Sequence, residues 1–105
     1  MTIPVGGTPE FMEVYNLLPK DGQLYKTITA IIDSISENPR MGESIEWSLI
    51  PEIFKQSIPN LTNLLRVKVT KDWRLLYTLR GYPNHKKAHI VFVGDHKKYD
   101  RLFGY

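Results

Sequence analysis

Hydrophobic and polar positions in the second half of the chain alternate with a period of two. Asn63 to Thr70 (NLLRVKVT) places Leu65, Val67 and Val69 on one side and Leu64, Arg66 and Lys68 on the other. Trp73 to Arg80 (WRLLYTLR) alternates again, with Trp73, Leu75, Tyr77 and Leu79 sharing a side. Ala88 to Val93 (AHIVFV) is apolar on both sides, the pattern of an inner strand. Gly81, Pro83 and Asn84 suit the turn between the last two strands. The first half reads differently. Phe11, Val14, Tyr15 and Leu18 follow helical spacing behind Thr8, a capping residue, and Pro9, tolerated at a first helical position. Pro19 and Gly22 break that helix, and a second runs from about Asp21 to Glu37 with Leu24, Ile28, Ile31, Ile32 and Ile35 on one face. Asn38-Pro39 ends it, because the residue before proline avoids helical geometry.

The segments between are shorter. Ile3 to Val5 suits a short edge strand, limited by Pro4. Met41-Gly42 reads as a turn, Ile45 to Leu49 as extended, Pro51 to Ile58 as a short helix and Pro59-Asn60 as a turn. Residues 95–105 (DHKKYDRLFGY) form a tail of about one helical turn followed by coil. The expected fold class is α+β: an N-terminal helical hairpin packed on a small antiparallel sheet, in one domain spanning residues 1–105. Its last three strands form a meander, with one face on the helices and the other open to solvent or a partner.

Register decides which charges meet. Val69 must lie opposite Trp73 if Leu65, Val67, Val69, Trp73, Leu75 and Tyr77 are to share the core face, because a slip of one residue sends half of them outward. Thr70-Lys71-Asp72 is then a three-residue hairpin loop. Lys68 faces Arg74, Arg66 faces Leu76, and Arg66, Lys68 and Arg74 gather on the non-core face. Like charges opposite one another destabilise a sheet, and neither strand carries an acid to offset them. A solvated outer face and an anion-binding face both fit that pattern.

Charge along the whole chain sharpens the picture. Residues 1–63 carry 4 basic and 8 acidic side chains, a net of −4, whereas residues 64–105 carry 10 basic and 3 acidic ones, a net of +7. A basic half points to an anionic partner, of which RNA is the commonest. The 105 residues contain no cysteine, which excludes disulfides and thiolate metal sites. The three histidines lack clustered carboxylates, so neither a metal nor another cofactor is expected. No apolar run is long enough to span a membrane and no signal peptide is apparent, so the expected location is the cytoplasm.

NLLRVKVTKDWRLLYTLRG, followed by a short apolar strand and then GDHKKYDRLFGY, resembles the RelE/ParE superfamily of type II toxins. The likeness is greatest to the archaeal-type RelE-like branch. Upstream, Asn38, Pro39 and Gly42, then Ile50-Pro51, are compatible with it. The resemblance implies a toxin held inactive by a cognate antitoxin protein. RelE-like members cut mRNA on the ribosome without a metal, and ParE-like members inhibit DNA gyrase. It further implies that basic side chains of two strands and a C-terminal histidine or tyrosine carry the chemistry. In this sequence those are Arg66, Lys68 and Arg74, then His96, with Tyr99 as second choice. Lys97, Lys98, Arg80 and Tyr105 are the accompanying candidates for RNA contact. Metal-free cleavage asks for a base on the 2′-hydroxyl, cations on the phosphorane and an acid for the departing oxygen. Histidine can serve as acid or base, and arginine and lysine supply the charge. Asp95 suits either a partner of His96 or a turn. His85 and His89 read as incidental, Trp47 and Trp73 as packing residues, and Tyr82, Lys86 and Lys87 as a solvated loop. Phe103 to Tyr105 are expected to fold back onto the sheet or a helix. A non-catalytic ParE-like inhibitor, or an inactive homologue that only binds RNA or an antitoxin, is the alternative.

Overall fold

The structure is a computed structural model that describes residues 2–81 and 87–104. Thr8 caps α1 (Pro9–Leu17), its side-chain oxygen accepting from the Phe11 amide at 3.2 Å, with Pro9 opening the helix. Gly22 begins α2 (Gln23–Glu37) and Asn38 ends it. The two helices meet where Tyr15 stacks on Tyr25, ring centroids 4.8 Å apart, and its hydroxyl lies 2.6 Å from Thr29 Oγ1. Three strands follow as the alternation predicts: β3 (Leu65–Lys68), β4 (Trp73–Arg80) and β5 (Lys87–Asp95), numbered after β1 (Val5–Gly7) and β2 (Glu43–Ser44).

The β3–β4 register has Lys68 opposite Arg74 and Arg66 opposite Leu76, and the Val69 amide donates to the Trp73 carbonyl at 3.0 Å. The core therefore chooses the register expected from burial. The sheet, however, is larger than a meander and not purely antiparallel. Its order is β1-β5-β4-β3-β2, with β1 parallel to β5. This parallel strand forms two residues later than Ile3 to Val5, because Pro4 lacks a donor and the Ile3 amide and carbonyl are taken by Ser36 of α2.

Both sheet faces are covered, which corrects the expectation of an open second face. On the first, Phe11 of α1 and Ile28 and Ile35 of α2 pack against Leu65, Val67, Leu75, Tyr77 and Ile90. On the second, Leu64, Leu76, Val91 and Phe92 pack beneath Ile50, Phe54 and Ile58 and beneath Tyr99, Leu102 and Phe103. A bulge helps, since Leu76 pairs with Phe92 but Tyr77 with Ile90. The extra residue puts Val91 and Phe92 both on the second face.

The covering elements are α3 (Glu52–Ser57) and α4 (His96–Phe103). The short helix after Pro51 forms as its proline suggests. Ile45 to Leu49 is not extended, because Trp47–Leu49 makes a 3₁₀ turn. The tail is a helix of 8 residues rather than one turn. Its N-terminus is capped by Asp95, whose carboxylate accepts from the Lys98 amide at 3.0 Å, and Gly104 ends it at φ +76°. Phe103 folds back, stacking on Tyr99 at 4.5 Å. Tyr105, His85, Tyr82, Lys86, Pro83 and Asn84 lie outside the described residues.

His89 on β5 is partly buried opposite Thr78. Burial first, then the charges of Lys87 and Arg80, push its imidazole below the ordinary value. Protons thus bind preferentially to the unfolded chain. The corresponding stability is complete above the ordinary histidine value of about 6.5 and falls as pH drops through the window below it. The urea midpoint is expected to fall between about pH 7 and about pH 5.5, and to fall less in His89→Gln. Equal slopes for the two proteins would show that His89 is not the cause.

Candidate active site

Arg66 and Lys68 leave β3 on the second sheet face, and Arg74 leaves β4 beside them. That face is apolar at Leu64, Leu76 and Val91 and is roofed there by α3 and α4. Toward the β3–β4 turn the apolar residues give out. A depression of about 350 Å³ remains, lined by Glu43, Arg66, Lys68, Arg74, His96, Tyr99 and Asp100. All five residues singled out for catalysis therefore meet in one place, from β3, β4 and α4.

Each is held differently. The Tyr99 ring is 5% exposed within the second core, while its hydroxyl accepts from Arg66 Nη1 at 2.9 Å. Arg66 Nη2 donates to Glu43 Oε1. The bond to Tyr99, and then the one to Glu43, raise the guanidinium pKa against the opposing effect of burial. Arg66 thus stays charged, with its direction set from two sides. Arg74 uses one nitrogen, Nη1, on the carbonyls of Thr70, Lys71 and Trp73, at 2.9, 3.2 and 3.1 Å. That ties the arginine to the hairpin turn and leaves its remaining donors for other partners.

His96 is the first residue of α4 and is half-exposed. Its Nδ1 lies 3.8 Å from Asp72 Oδ1, across from the hairpin turn. Asp95, a candidate partner for His96, is instead the helix cap. Its bond from the Lys98 amide, then the nearby lysines and histidine, lower its pKa. Three candidate RNA contacts fall outside the depression. Lys97 is exposed on α4, and Lys98 lies on another side of that helix. Arg80 is at the far end of β4, opposite Lys87. Tyr105 is outside the described residues.

Glu43 and Asp100 are lining residues that reading along the chain missed. Asp100 was legible as four residues after His96, once a full helix is assumed. Glu43 carried no signal, because it reaches Arg66 through the pairing of a two-residue edge strand. Among the described residues, no three histidine, aspartate or glutamate side chains gather as a metal-binding group.

A second hollow, of about 550 Å³, lies on the other flank of α4. Ile53 and Phe54 of α3, Ile58 just after it, Val91 and Phe92 of β5, and Leu102 of α4 make it apolar, and Lys98 and Arg101 stand at it. No helix among the described residues is long and apolar enough to cross a membrane.

No protein-family model matches this sequence, and no curated protein matches it. Solved structures do match in three dimensions. The archaeal RelE–RelB complex from Pyrococcus horikoshii superposes with a TM-score of 0.61 at 17% identity, over 91% of this chain and 97% of that one. A YoeB/ParE toxin from Agrobacterium tumefaciens gives 0.63 at 12%, over 90% and 99%. The chain has the RelE/ParE toxin fold. A mutant of E. coli RelE in its free state gives a TM-score of 0.62 at 12% identity, covering 99% of this chain and 93% of that one. In this structure the cationic depression lies where β3 and β4, the first two strands of the meander, meet the C-terminal helix.

Proposed function

We propose that this protein is the toxin of a type II toxin–antitoxin pair and a metal-free endoribonuclease acting on mRNA, at the ribosome. One observation carries the reading. Three cations, an imidazole and two carboxylates converge on one depression from four different elements. The hydroxyl and carboxylate that flank Arg66 fix that guanidinium before any ligand arrives.

The chemistry divides among these groups. Glu43 takes the proton of the 2′-hydroxyl, whose oxygen attacks the neighbouring phosphorus. Arg66, Lys68 and Arg74 surround the phosphorane and stabilise its charge. His96, as imidazolium, gives its proton to the departing 5′-oxygen. The products are a 2′,3′-cyclic phosphate and a 5′-hydroxyl, and the enzyme returns by exchanging protons with water. Tyr99 acts through Arg66, holding the guanidinium toward the phosphate. Lys97, exposed on α4 next to His96, is suited to a flanking phosphate, and Tyr105 remains the further candidate for RNA contact. Arg80 is too far along β4 to join them at this site.

Relatives of this fold include the archaeal RelE–RelB complex and the intact E. coli RelBE toxin–antitoxin complex. By analogy the partner of this chain is a cognate antitoxin. Its acidic side chains would cover the cationic depression, and an apolar segment would fill the hollow beside α4, where Lys98 and Arg101 favour acidic flanks.

The test is induced expression of the wild-type protein and of a His96→Ala, Arg74→Ala double variant, with primer extension on cellular mRNA. Growth arrest with discrete cuts that vanish in the variant is expected. Arrest without cuts would overturn the nuclease in favour of a ParE-like inhibitor. Soluble, folded protein that neither arrests growth nor cuts mRNA would leave only a binding homologue.

A further inference from the structure

Trp47 reads as a packing residue in the sequence, yet 49% of it is exposed. Glu46, Ser48 and Leu49 around it are exposed too, and only Ile45 before them and Ile50 after them pack inward. Ile45 and Ile50 are held in the second core, on the sheet face that carries Arg66 and Leu76. Trp47 is therefore carried on the layer that borders the cationic depression. It lies four residues after Glu43, which lines that depression, so the two are within about 14 Å along the chain. The Lys55 ammonium sits over the indole, 4.6 Å from the ring centroid. An indole left open to water costs free energy that a packed one would not. Here the structure gives it a cation on one face and leaves about half of it open.

We infer that Trp47, backed by Lys55, is a stacking platform for an unpaired nucleobase of the RNA strand whose phosphate lies at Arg66. Aromatic rings take splayed bases of any identity, and a cation on the far side of the ring strengthens the assembly. The neighbourhood suits a base better than a phosphate. Glu46 directly precedes Trp47 in the sequence and repels a backbone, whereas a base is neutral. The strand would thus enter with its backbone on the β3–β4 cations and one base turned toward the 3₁₀ turn. This rests on the nuclease reading of the depression and adds a second, sequence-tolerant contact outside it.

The probe is a fluorescein-labelled single-stranded RNA hexamer, 2′-O-methylated throughout so that no nucleophile remains, followed by anisotropy over a range of salt. Trp47→Ala is expected to weaken binding about tenfold or more without changing the salt slope. Arg66→Ala should weaken binding and lower that slope by about 0.7, the loss of one phosphate contact. Trp47→Phe should retain most of the affinity and Trp47→Leu should not, since leucine is apolar but has no ring to stack. An abasic hexamer of equal charge should bind wild type and Trp47→Ala alike. If the wild-type protein binds the hexamer through Arg66 but Trp47→Ala or Trp47→Leu binds it equally well, the platform is wrong and the nuclease reading stands. If the hexamer does not bind, or binds without need of Arg66, both fail together.

Discussion

Arg66→Ala is expected to lower RNA cleavage by about two to three orders of magnitude while the protein stays folded. The guanidinium is only partly exposed and already charged, and it is aimed by the Tyr99 hydroxyl and the Glu43 carboxylate. Deleting it removes a preorganised cation from the phosphorane. It also frees Glu43 to move away from the 2′-hydroxyl, so binding and proton transfer suffer together. Stability should change little, because an exposed ion pair contributes at most about 1 kcal/mol. Arg66→Lys separates charge from geometry. An ammonium keeps the charge but not the planar fork that reaches Tyr99 and Glu43 at once, so partial activity is expected. Cleavage of a labelled RNA and circular dichroism on the same samples decide the matter. Full activity in Arg66→Ala would remove the depression from the mechanism.

The largest effect of losing a single oxygen should come from Tyr77→Phe, at a distance from the depression. Tyr77 is fully buried, and its hydroxyl donates to the Pro39 carbonyl at 2.6 Å and accepts from the Gly42 amide at 3.0 Å. Burial pushes its phenol above the ordinary value, so the proton needed for the first bond is held at any physiological pH. Phenylalanine fits the same space but strands two backbone groups, at a cost of about 1–3 kcal/mol. For a chain of this size that corresponds to a fall in Tm of about 4–8 °C for each kcal/mol. The loss is local as well as global. Gly42 leads into β2, a strand of two residues that carries Glu43. Its closeness explains the glycine, since a Cβ there would lie 2.8 Å from the Tyr77 ring. Cleavage should therefore fall in Tyr77→Phe even at temperatures where it is fully folded. Tyr15→Phe is the control: its hydroxyl is less buried, and Thr29 keeps its own bond to the Tyr25 carbonyl. A Tm unchanged in Tyr77→Phe would show that water replaces the hydroxyl.

The three strands of the meander, the first two helices and the β3–β4 register were legible in the chain because each depends on a short-range rule. Alternation defines which residues of β3 and β4 share a face, and only one hairpin register lets both apolar sets face the same core. That register alone brings Arg66, Lys68 and Arg74 together, so the cationic half of the site could be read from 19 consecutive residues, 63–81. Proline and asparagine marked the ends of the helices for equally local reasons.

What tertiary structure decided is the rest of the site and the covering of the second face. Leu64 and Leu76 looked like the outward side of a sheet, on the face where Val91 joins them. They are buried because α3 and α4 return across it, a matter of long-range packing that no period in the sequence encodes. Docking onto that apolar surface also makes a helix of residues 96–103, whose local propensity suggested one turn, since helices this short draw their stability from contacts rather than from themselves. The return of α4 then carries His96 and Tyr99 to the cations, and the edge pairing of β2 brings Glu43 to Arg66. The same roof leaves Trp47 outside. Local chemistry thus determined the elements and the charged face, while burial of the leftover apolar surface determined which acid, imidazole and hydroxyl came to stand beside it.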